Sequence, residues 1–348
     1  MNKSNYTNFM MIVLLSLCTV SLAGNTITVG QGGSFNYSTI QDAVNAAVHG
    51  DTVLVAPGTY TGTGNKNITF SGKSIIVKSS SGPQGCIIDC QNSGRGFSFQ
   101  NGESASAVLE GFTIKNGNMS RGGGLYISSA SPTVKSCIIS GNYSSGSSGL
   151  AGAGAYCSSS NASFTNCIFY NNSTPQDGGG LYNYSSNVTV KNCTFAKNSG
   201  DDGAAIFNYV SSNAYLSNCI VWGNTSIYNI IGNQSSSHLY YTGSDISGTI
   251  WNGTGSSHID NGYNINADPL FENIAAGLLN LMPNSPCIDA GIDCGVNLDI
   301  LGNSRPFDYP MIDNNGAILD FDMGAYEAVP EPLTVSLFVL GGLMIRRK

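Results

Sequence analysis

The sequence predicts an all-β fold, a solenoid built as a single-stranded parallel β-helix, and three observations support this. One motif occurs four times between residues 122 and 226, with glycine-rich starts at 122–126, 152–156, 178–182 and 203–207. Each copy contains a cysteine and, five residues later, an asparagine, and successive asparagines are 30, 26 and 26 residues apart. Around each cysteine, apolar and polar residues alternate at a period of two, which indicates strands. A fixed period in this range is typical of solenoids.

Positions within the repeat indicate the parts of one rung. The cysteines, and the apolar residues three before and two after them, are predicted to face the interior as buried hydrophobic side chains. The polar residue before each cysteine is predicted to turn a corner, because asparagine tolerates left-handed backbone conformation. The cysteine column is Cys137, Cys167, Cys193 and Cys219, and the corner column is Ser136, Asn166, Asn192 and Asn218.

An aromatic residue ends each glycine-rich stretch. In stacked rungs, equivalent positions lie above one another at a spacing of roughly 4.8 Å. We therefore predict packing or ring stacking for this column, rather than a platform for sugars. Its members are Tyr126, Tyr156, Tyr182 and Phe207.

The clearest helical pattern lies near the N-terminus. Ser38 is placed to cap the helix, with Gln41 as its capping-box partner, and Gly50 is predicted to end it. A short amphipathic helix at this point is expected to cap the open end of the solenoid, where unpaired strand edges would otherwise be exposed. The apolar face of the helix is predicted to be Ile40, Ala43, Val44, Ala47 and Val48.

Four segments are predicted along the chain. Residues 1–23 have the basic start, apolar core and small-residue end of a secretory signal peptide. Residues 24–262 form the parallel β-helix, and residues 263–328 form C-terminal rungs and a cap. Residues 329–348 form a sorting or anchor segment.

That last segment combines three features in a fixed order. A short acidic proline motif is followed by an apolar run of about thirteen residues, and a basic cluster ends the chain. The run is shorter than the ~20 residues that span a bilayer, although its neighbours could extend it into a transmembrane helix. The residues that carry the motif and the cluster are Val329, Pro330, Glu331, Pro332, Arg346 and Arg347.

This arrangement resembles the PEP-CTERM sorting signal of Gram-negative bacteria. The resemblance implies recognition and removal of the tail by an exosortase. It also implies a membrane anchor before processing, and delivery to the cell surface or the extracellular matrix. An ordinary C-terminal anchor is the alternative.

A second resemblance covers nearly the whole mature chain. Residues 39–60 are similar to the N-terminal part of bacterial pectin-lyase-like right-handed β-helix proteins, and residues 109–117 are similar to one of their early rungs. The stretches 267–271, 284–291 and 320–327 resemble the C-terminal part of the choice-of-anchor Q proteins. The resemblance implies a right-handed parallel β-helix at the cell surface, and it implies no settled activity.

Composition limits the partners of the protein. The chain has 14 Lys and Arg against 21 Asp and Glu, for a formal net charge of -7. An acidic body argues against nucleic acid as a partner. It also argues against unaided binding of polyuronates, unless Ca²⁺ bridges the charges.

Two groups of side chains are candidates for catalysis. Asp201 and Asp202 lie between the third and fourth repeats and resemble the paired aspartates of polygalacturonase-type hydrolases, but the histidine and basic motifs of those enzymes are missing. A solvated turn is the alternative. Arg95, Lys115 and Arg121 could form a basic spot on early rungs, in which Arg121 would be a lyase base; ordinary surface pairing is the alternative.

The C-terminal region contains candidates for a metal site and for a disulfide. Asp320 and Asp322 could supply oxygen ligands for Ca²⁺, or carboxylates there could form a network with Arg305. Cys287 and Cys294 lie close in sequence, and an oxidising compartment would permit a bridge between them. Zinc is not expected, because the sequence contains no Cys-x-x-Cys pair, and no other cofactor is predicted.

Three functions compete on this basis. The first is an exported, non-catalytic surface or matrix protein that binds extracellular polysaccharide along one face. The second is a polysaccharide lyase or glycoside hydrolase that acts on acidic or plant and algal polysaccharides. The third is an adhesin-like module with a protein partner.

Overall fold

The fold is seen in a computed structural model, which describes residues 24–146, 150–309 and 320–329. The predicted fold class is confirmed: the chain forms a right-handed parallel β-solenoid of about 8 turns, with one short helix near the N-terminus. Residues 1–23, and the sorting motif from Pro330 to Arg347, lie outside the described residues. No helix in the described part is long and apolar enough to cross a membrane.

Three parallel sheets form the walls of the solenoid, with ten, eight and eight strands. Sheet 1 contains Thr26–Val29, Thr52–Val55, Ile76–Ser79, Val108–Glu110, Thr133–Lys135, Ser163–Thr165, Asn187–Lys191, Asn213–Ser217, His238–Thr242 and Ser257–Asp260. Sheet 2 contains Gly58–Tyr60, Cys86–Asp89, Thr113–Lys115, Ile138–Ser140, Ile168–Tyr170, Thr194–Ala196, Ile220–Trp222 and Asp245–Ile246. Sheet 3 contains Ile68–Thr69, Phe97–Phe99, Leu125–Ser128, Ala155–Ser158, Leu181–Tyr184, Ile206–Tyr209, Ile231–Gln234 and Ile250–Asn252.

Three smaller sheets complete the secondary structure. Two of them are parallel pairs in the turns between sheets 2 and 3, formed by Asn118–Met119 with Tyr143–Ser144 and by Ser199–Gly200 with Thr225–Ser226. The third is an antiparallel pair in the C-terminal segment, Phe271–Asn273 with Leu278–Leu281. Each full rung therefore runs from sheet 3 to sheet 1 and then to sheet 2.

The core columns lie where the repeat predicts them. All four repeat cysteines are fully buried, and their thiols are free. The residues three before them pair in register along sheet 1, so that Val134 lies beside Phe164 and Phe164 beside Val190. The corner residues also agree with the prediction, because all four have φ of 50° or 51°. This left-handed conformation turns the chain from sheet 1 into sheet 2.

The asparagine of each repeat forms a buried ladder along the turn that follows sheet 2. Asn142 Nδ2 donates to Asn172 Oδ1 at 3.0 Å, Asn172 Nδ2 to Asn198 Oδ1 at 3.0 Å, and Asn198 Nδ2 to Asn224 Oδ1 at 3.0 Å. The same amides also donate to backbone carbonyls of the preceding rung. Their polar groups are therefore satisfied where water does not reach.

The helix is present, but its ends differ from the prediction. It spans Ile40–Ala46, and its cap is Thr39, whose hydroxyl accepts from the Asp42 backbone N–H, rather than Ser38. The backbone leaves the helix at Ala47, with ψ of 148°. Val48 consequently points away from the core and is 61% exposed. The short helix packs on the first strands as expected of a cap.

The C-terminal segment differs from the predicted set of rungs and cap. It crosses the outside of sheet 2, where the Tyr170 hydroxyl donates to Ile274 O at 3.0 Å, and it reaches the end of a sheet 1 strand, where Lys191 Nζ donates to Cys294 O at 2.7 Å. The physical reason is a set of outward apolar side chains on sheet 2, which the C-terminal segment covers. These side chains include Ile168, Ala196 and Ile220, each no more than 2% exposed.

Because this segment packs on the outside of sheet 2, it does not cover the C-terminal end of the solenoid, where polar residues end the core instead. In the last strand of sheet 1, His258 pairs with Leu239 and Asp260 pairs with Tyr241, so both occupy inward positions. Both side chains are exposed there. Polar residues thus end the core, and they give the last strand polar groups that discourage edge-to-edge pairing.

An arginine–carboxylate network holds the C-terminal segment together, as one of the sequence alternatives predicts. Arg305 and Glu327 form an ion pair at 2.9 Å, and both side chains are fully buried. The guanidinium also donates to the backbone carbonyls of Asp322 and Gly324 at 2.9 and 2.8 Å. These bonds compensate for the removal of the charges from water.

Candidate functional site

The outer face of sheet 3 carries a continuous aromatic column. Neighbouring ring centroids are 5.5, 5.4 and 5.3 Å apart along Tyr126, Tyr156, Tyr182 and Phe207. Tyr126 is half-buried, and the other three are at most 2% exposed. The column forms its own cluster outside the main core, beneath Leu150 and beside Tyr184 and Tyr209. Stacking is confirmed, and buried rings of this kind offer no open platform to a sugar.

Two arginines lie at the N-terminal end of this column. The Arg95 guanidinium lies 4.5 Å from the Tyr126 ring centroid, and the Arg121 guanidinium lies 5.6 Å from the Tyr156 ring centroid. Cation–π contacts of this length hold the guanidinium planes against the rings. Together the arginines line a pocket of about 620 Å³, here called the arginine pocket. Its other polar lining residues are Asn67, Ser98, Gln100, Ser120 and Tyr126.

The arginine pocket is locally cationic in an acidic protein. None of its lining residues is a carboxylate. Within the described ranges three ion pairs form, and neither Arg95 nor Arg121 takes part in them. Burial lowers the pKa of Arg95, but an arginine keeps its charge at any physiological pH. Two charged guanidinium groups without carboxylate partners are suited to bind an anion.

Carboxylates gather further along the same face of the solenoid. Backbone hydrogen bonds from Gly122 to Ala151, from Gly152 to Asp177 and from Gly178 to Asp202 place the residues between sheets 2 and 3 in one column. Asp177 therefore lies one rung before Asp202. Residues Asp177, Asp201 and Asp202 are here called the aspartate cluster. All three are half-buried.

Burial and mutual repulsion change the acidity of the aspartate cluster. Burial, followed by the charge of Asp202, raises the pKa of Asp177 to about 7. Burial also raises the pKa of Asp202, although its Oδ1 accepts from Gly203 N at 2.8 Å and from Asn229 Nδ2 at 3.2 Å. Two neighbouring carboxyl groups, one of them with a pKa raised to about 7, have the chemistry of an acid–base pair.

The sequence candidates are only partly brought together. Arg121 shares the column of Asp177 and Asp202 but lies two and three rungs before them, about 10 and 14 Å away at the usual strand spacing. The prediction that Lys115 belongs to the basic spot is wrong, because Lys115 forms an ion pair with Asp89 on sheet 2 at 3.7 Å. The repeat alone indicates that Asp177 occupies the turn equivalent to Asp202 one rung earlier, and the structure adds the raised pKa that makes Asp177 a candidate.

The predicted Cys287–Cys294 disulfide is wrong, because both thiols are free. Cys287 Sγ donates to Asp245 Oδ2 at 3.4 Å, whereas Cys294 Sγ donates to Asn192 Oδ1 at 2.7 Å. Those partners belong to rungs two apart, a separation of roughly 10 Å that exceeds the reach of a disulfide. Packing of the segment along sheet 2 therefore separates two cysteines that are close in sequence.

The predicted Ca²⁺ ligands lie in the same segment. The Asp322 carboxylate is buried and accepts backbone N–H bonds from Asp289 and Ala328, which occupies its oxygens within the protein. Across residues 24–146, 150–309 and 320–329, no three acidic, histidine or cysteine side chains form a group suited to a metal. Calcium at Asp320 and Asp322 stays a prediction, and the geometry of Asp322 gives it no support.

The structure is thus a parallel β-solenoid with one cationic pocket, the arginine pocket, beside sheet 3. A family model described as a right handed beta helix region matches residues 27–265, and the chain belongs to this family. Among curated proteins, none matches the chain.

Solved structures with a similar fold have low sequence identity. One is described as pectate lyase Pel9A; it is 14% identical, with 88% of this chain and 97% of that chain covered and a TM-score of 0.47. Another is pectin methylesterase from carrot; it is 13% identical, with 71% and 84% covered and a TM-score of 0.43. At these values the likeness concerns the fold alone.

Proposed function

We propose that this protein is an exported, non-catalytic surface or matrix protein that binds an acidic polysaccharide in the arginine pocket. The observation that carries this proposal is the pair Arg95 and Arg121, which face one pocket without a carboxylate partner among the described residues. The overall charge of -7 would repel a polyanion at long range. At contact distance the local charge of the pocket decides whether a polyanion binds, because salt screens charges that are more than about 10 Å away.

The chemistry of the arginine pocket fits a sugar acid. A guanidinium can donate two parallel hydrogen bonds to a carboxylate or a sulfate group. Ser98, Gln100 and Ser120 offer hydroxyl and amide groups for sugar hydroxyls. Since residues of three successive rungs line the pocket, from Asn67 through Arg95 to Tyr126, an oligosaccharide of a few sugar units is the ligand that we expect.

The export part of the proposal rests on the two ends of the sequence. Residues 1–23 carry the pattern of a signal peptide, and residues 329–348 carry the pattern of a PEP-CTERM tail. We propose that an exosortase-type enzyme removes the tail and that the mature protein stays at the surface of a Gram-negative cell. Mass spectrometry of the mature protein would test this, and an intact Arg-Arg-Lys terminus would contradict it.

Binding is tested with Arg95→Ala, Arg121→Ala and the double variant. Each lost charge-assisted hydrogen bond is worth about 1.5–3 kcal/mol, so each single variant should bind an oligogalacturonate about tenfold or more weakly. The control is Lys78→Ala, which removes a cation from sheet 1 and should leave affinity unchanged. Calorimetry at two salt concentrations gives the measurement. Wild-type affinity in a correctly folded double variant would refute the proposal.

A hydrolase or lyase is the second candidate, and the raised pKa of Asp177 beside Asp202 favours it. Incubation with a panel of acidic and neutral polysaccharides, with and without Ca²⁺, would release new reducing ends or unsaturated products if the protein is an enzyme. We expect none. Cleavage that disappears in Asp202→Asn and Asp177→Asn would replace the binding proposal with a catalytic one.

A further inference from the structure

A second pair of aromatic side chains lies on a different face of the solenoid. Tyr215 and Tyr240 are directly opposite on adjacent strands of sheet 1, and both point outward. Their rings stack at 4.8 Å with an interplanar angle of 12°. Tyr215 is 42% exposed, in contrast to the buried column of sheet 3. These rings are therefore accessible to a ligand.

The strands before Tyr215 leave one face of its ring uncovered by another aromatic side chain. The same outward column holds Thr189, Ser163 and Thr133 on the three preceding strands. These side chains are shorter than a tyrosine, so the Tyr215 ring protrudes at the end of this column of hydroxyl groups, here called the hydroxyl track. The protruding ring presents an apolar face beside hydrogen-bonding groups.

A second row of polar groups runs beside this track. Asn213 Nδ2 donates to Asn187 Oδ1 at 2.6 Å, and His238 Nδ1 and Ser257 Oγ are 2.7 Å apart. All four side chains lie on the outer face of sheet 1, two residues before the track positions. These bonds fix the side chains, so that a ligand would not have to order them on binding.

The charge of the surface indicates an uncharged ligand. The nine outward positions of Asn187–Lys191, Asn213–Ser217 and His238–Thr242 include no carboxylate. They include one cation, Lys191, whose Nζ donates to Cys294 O at 2.7 Å. A surface with exposed rings, amides and hydroxyls matches the C–H faces and hydroxyl groups of a neutral sugar.

We infer that sheet 1 carries a second glycan-binding surface, for a neutral hexopyranose chain, centred on Tyr215 and Tyr240. It is separate from the arginine pocket, because that pocket lies on sheet 3 and contains no residue of sheet 1. A protein with both surfaces would connect an acidic polysaccharide to a neutral one. That property would suit a component of a matrix.

The test uses laminarihexaose and cellohexaose, two neutral β-glucan hexasaccharides, with calorimetry on the full chain. Tyr215→Ala should weaken binding about tenfold, whereas Tyr215→Phe, which keeps the ring, should stay close to wild type. The matched control is Tyr143→Ala, which removes a tyrosine of similar exposure, 39%, outside sheet 1.

The outcomes separate this inference from a purely structural pair and from the arginine pocket. A cross-strand pair that only stabilises the sheet would lower the unfolding midpoint of Tyr215→Ala and leave binding intact. That result would overturn the inference, as would failure of the wild type to bind either hexasaccharide. The double arginine variant should keep neutral-glucan binding. Its loss of oligogalacturonate binding alone would show that the two surfaces are independent.

Discussion

The buried asparagine ladder allows one prediction to be worked through in detail, the substitution Asn172→Ala. Asn172 is fully buried and lies in the middle of the ladder. Its Oδ1 accepts from Asn142 N and from Asn142 Nδ2 at 3.1 and 3.0 Å, and its Nδ2 donates to Ile139 O at 2.8 Å. Alanine removes all of these partners at once and leaves a space too enclosed for bulk water.

The expected cost follows from the groups left without a partner. The Asn142 backbone N–H, one Asn142 amide hydrogen, the Ile139 carbonyl and the Asn198 side-chain oxygen each lose a hydrogen bond. A buried polar group without a partner costs about 1–3 kcal/mol. Since the rungs relax in part, we expect the free energy of unfolding to fall by about 3–5 kcal/mol, a large share of the roughly 5–15 kcal/mol typical of a domain.

The assay is urea unfolding followed by circular dichroism, with Asn224→Ala as the matched control. Asn224 ends the same ladder and makes the same type of bond to Phe195 O at 2.8 Å, but it is half-buried. Water can replace its bonds, so this variant should lose only about 1–2 kcal/mol. Equal losses in the two variants, or a loss below about 1 kcal/mol for Asn172→Ala, would refute the reasoning.

Two further predictions concern buried charges. The pKa of Asp177 is raised in the folded chain to about 7, above its ordinary value of 3.8, so its ionisation disfavours folding. The free energy of unfolding of the wild type should therefore fall as the pH rises from about 4 to about 7. At pH 8, Asp177→Asn should be more stable than the wild type by about 1–2 kcal/mol after screening, and at pH 4 the two proteins should unfold at the same urea concentration. Arg305→Met should cost about 3–5 kcal/mol, because the Glu327 carboxylate stays buried without its cation. Thermal unfolding would show no shift if the pair were dispensable.

The local regularity of the sequence was enough to predict the solenoid. Each rung repeats the same short strands, so the position of Cys167 relative to Cys193 already fixes which residues face inward. The corner at Asn166 is equally local, because it depends on the backbone preference of one residue. Even the stacked aromatic column followed from the register, since equivalent residues of a solenoid must lie above one another.

Contacts between distant parts of the chain could not be predicted in this way. Ile220 is one of the outward apolar residues that the C-terminal segment covers, and nothing in the local pattern of the repeat predicts this cover. The separation of Cys287 from Cys294 has the same origin, since each thiol meets a rung more than 40 residues away in sequence. Lateral packing of this kind depends on shape and burial rather than on period.

The candidate site could be predicted from the sequence only in part. The sequence by itself determined that Arg121, Asp177 and Asp202 occupy equivalent turns, because each directly precedes the first glycine of a repeat. Only the tertiary structure decided that Arg95 joins Arg121 over the aromatic column, that Lys115 pairs elsewhere, and that the pocket between them has no carboxylate. Register is a property of backbone hydrogen bonds, which repeat along the chain, whereas the charge of a pocket depends on which side chains reach it from different rungs.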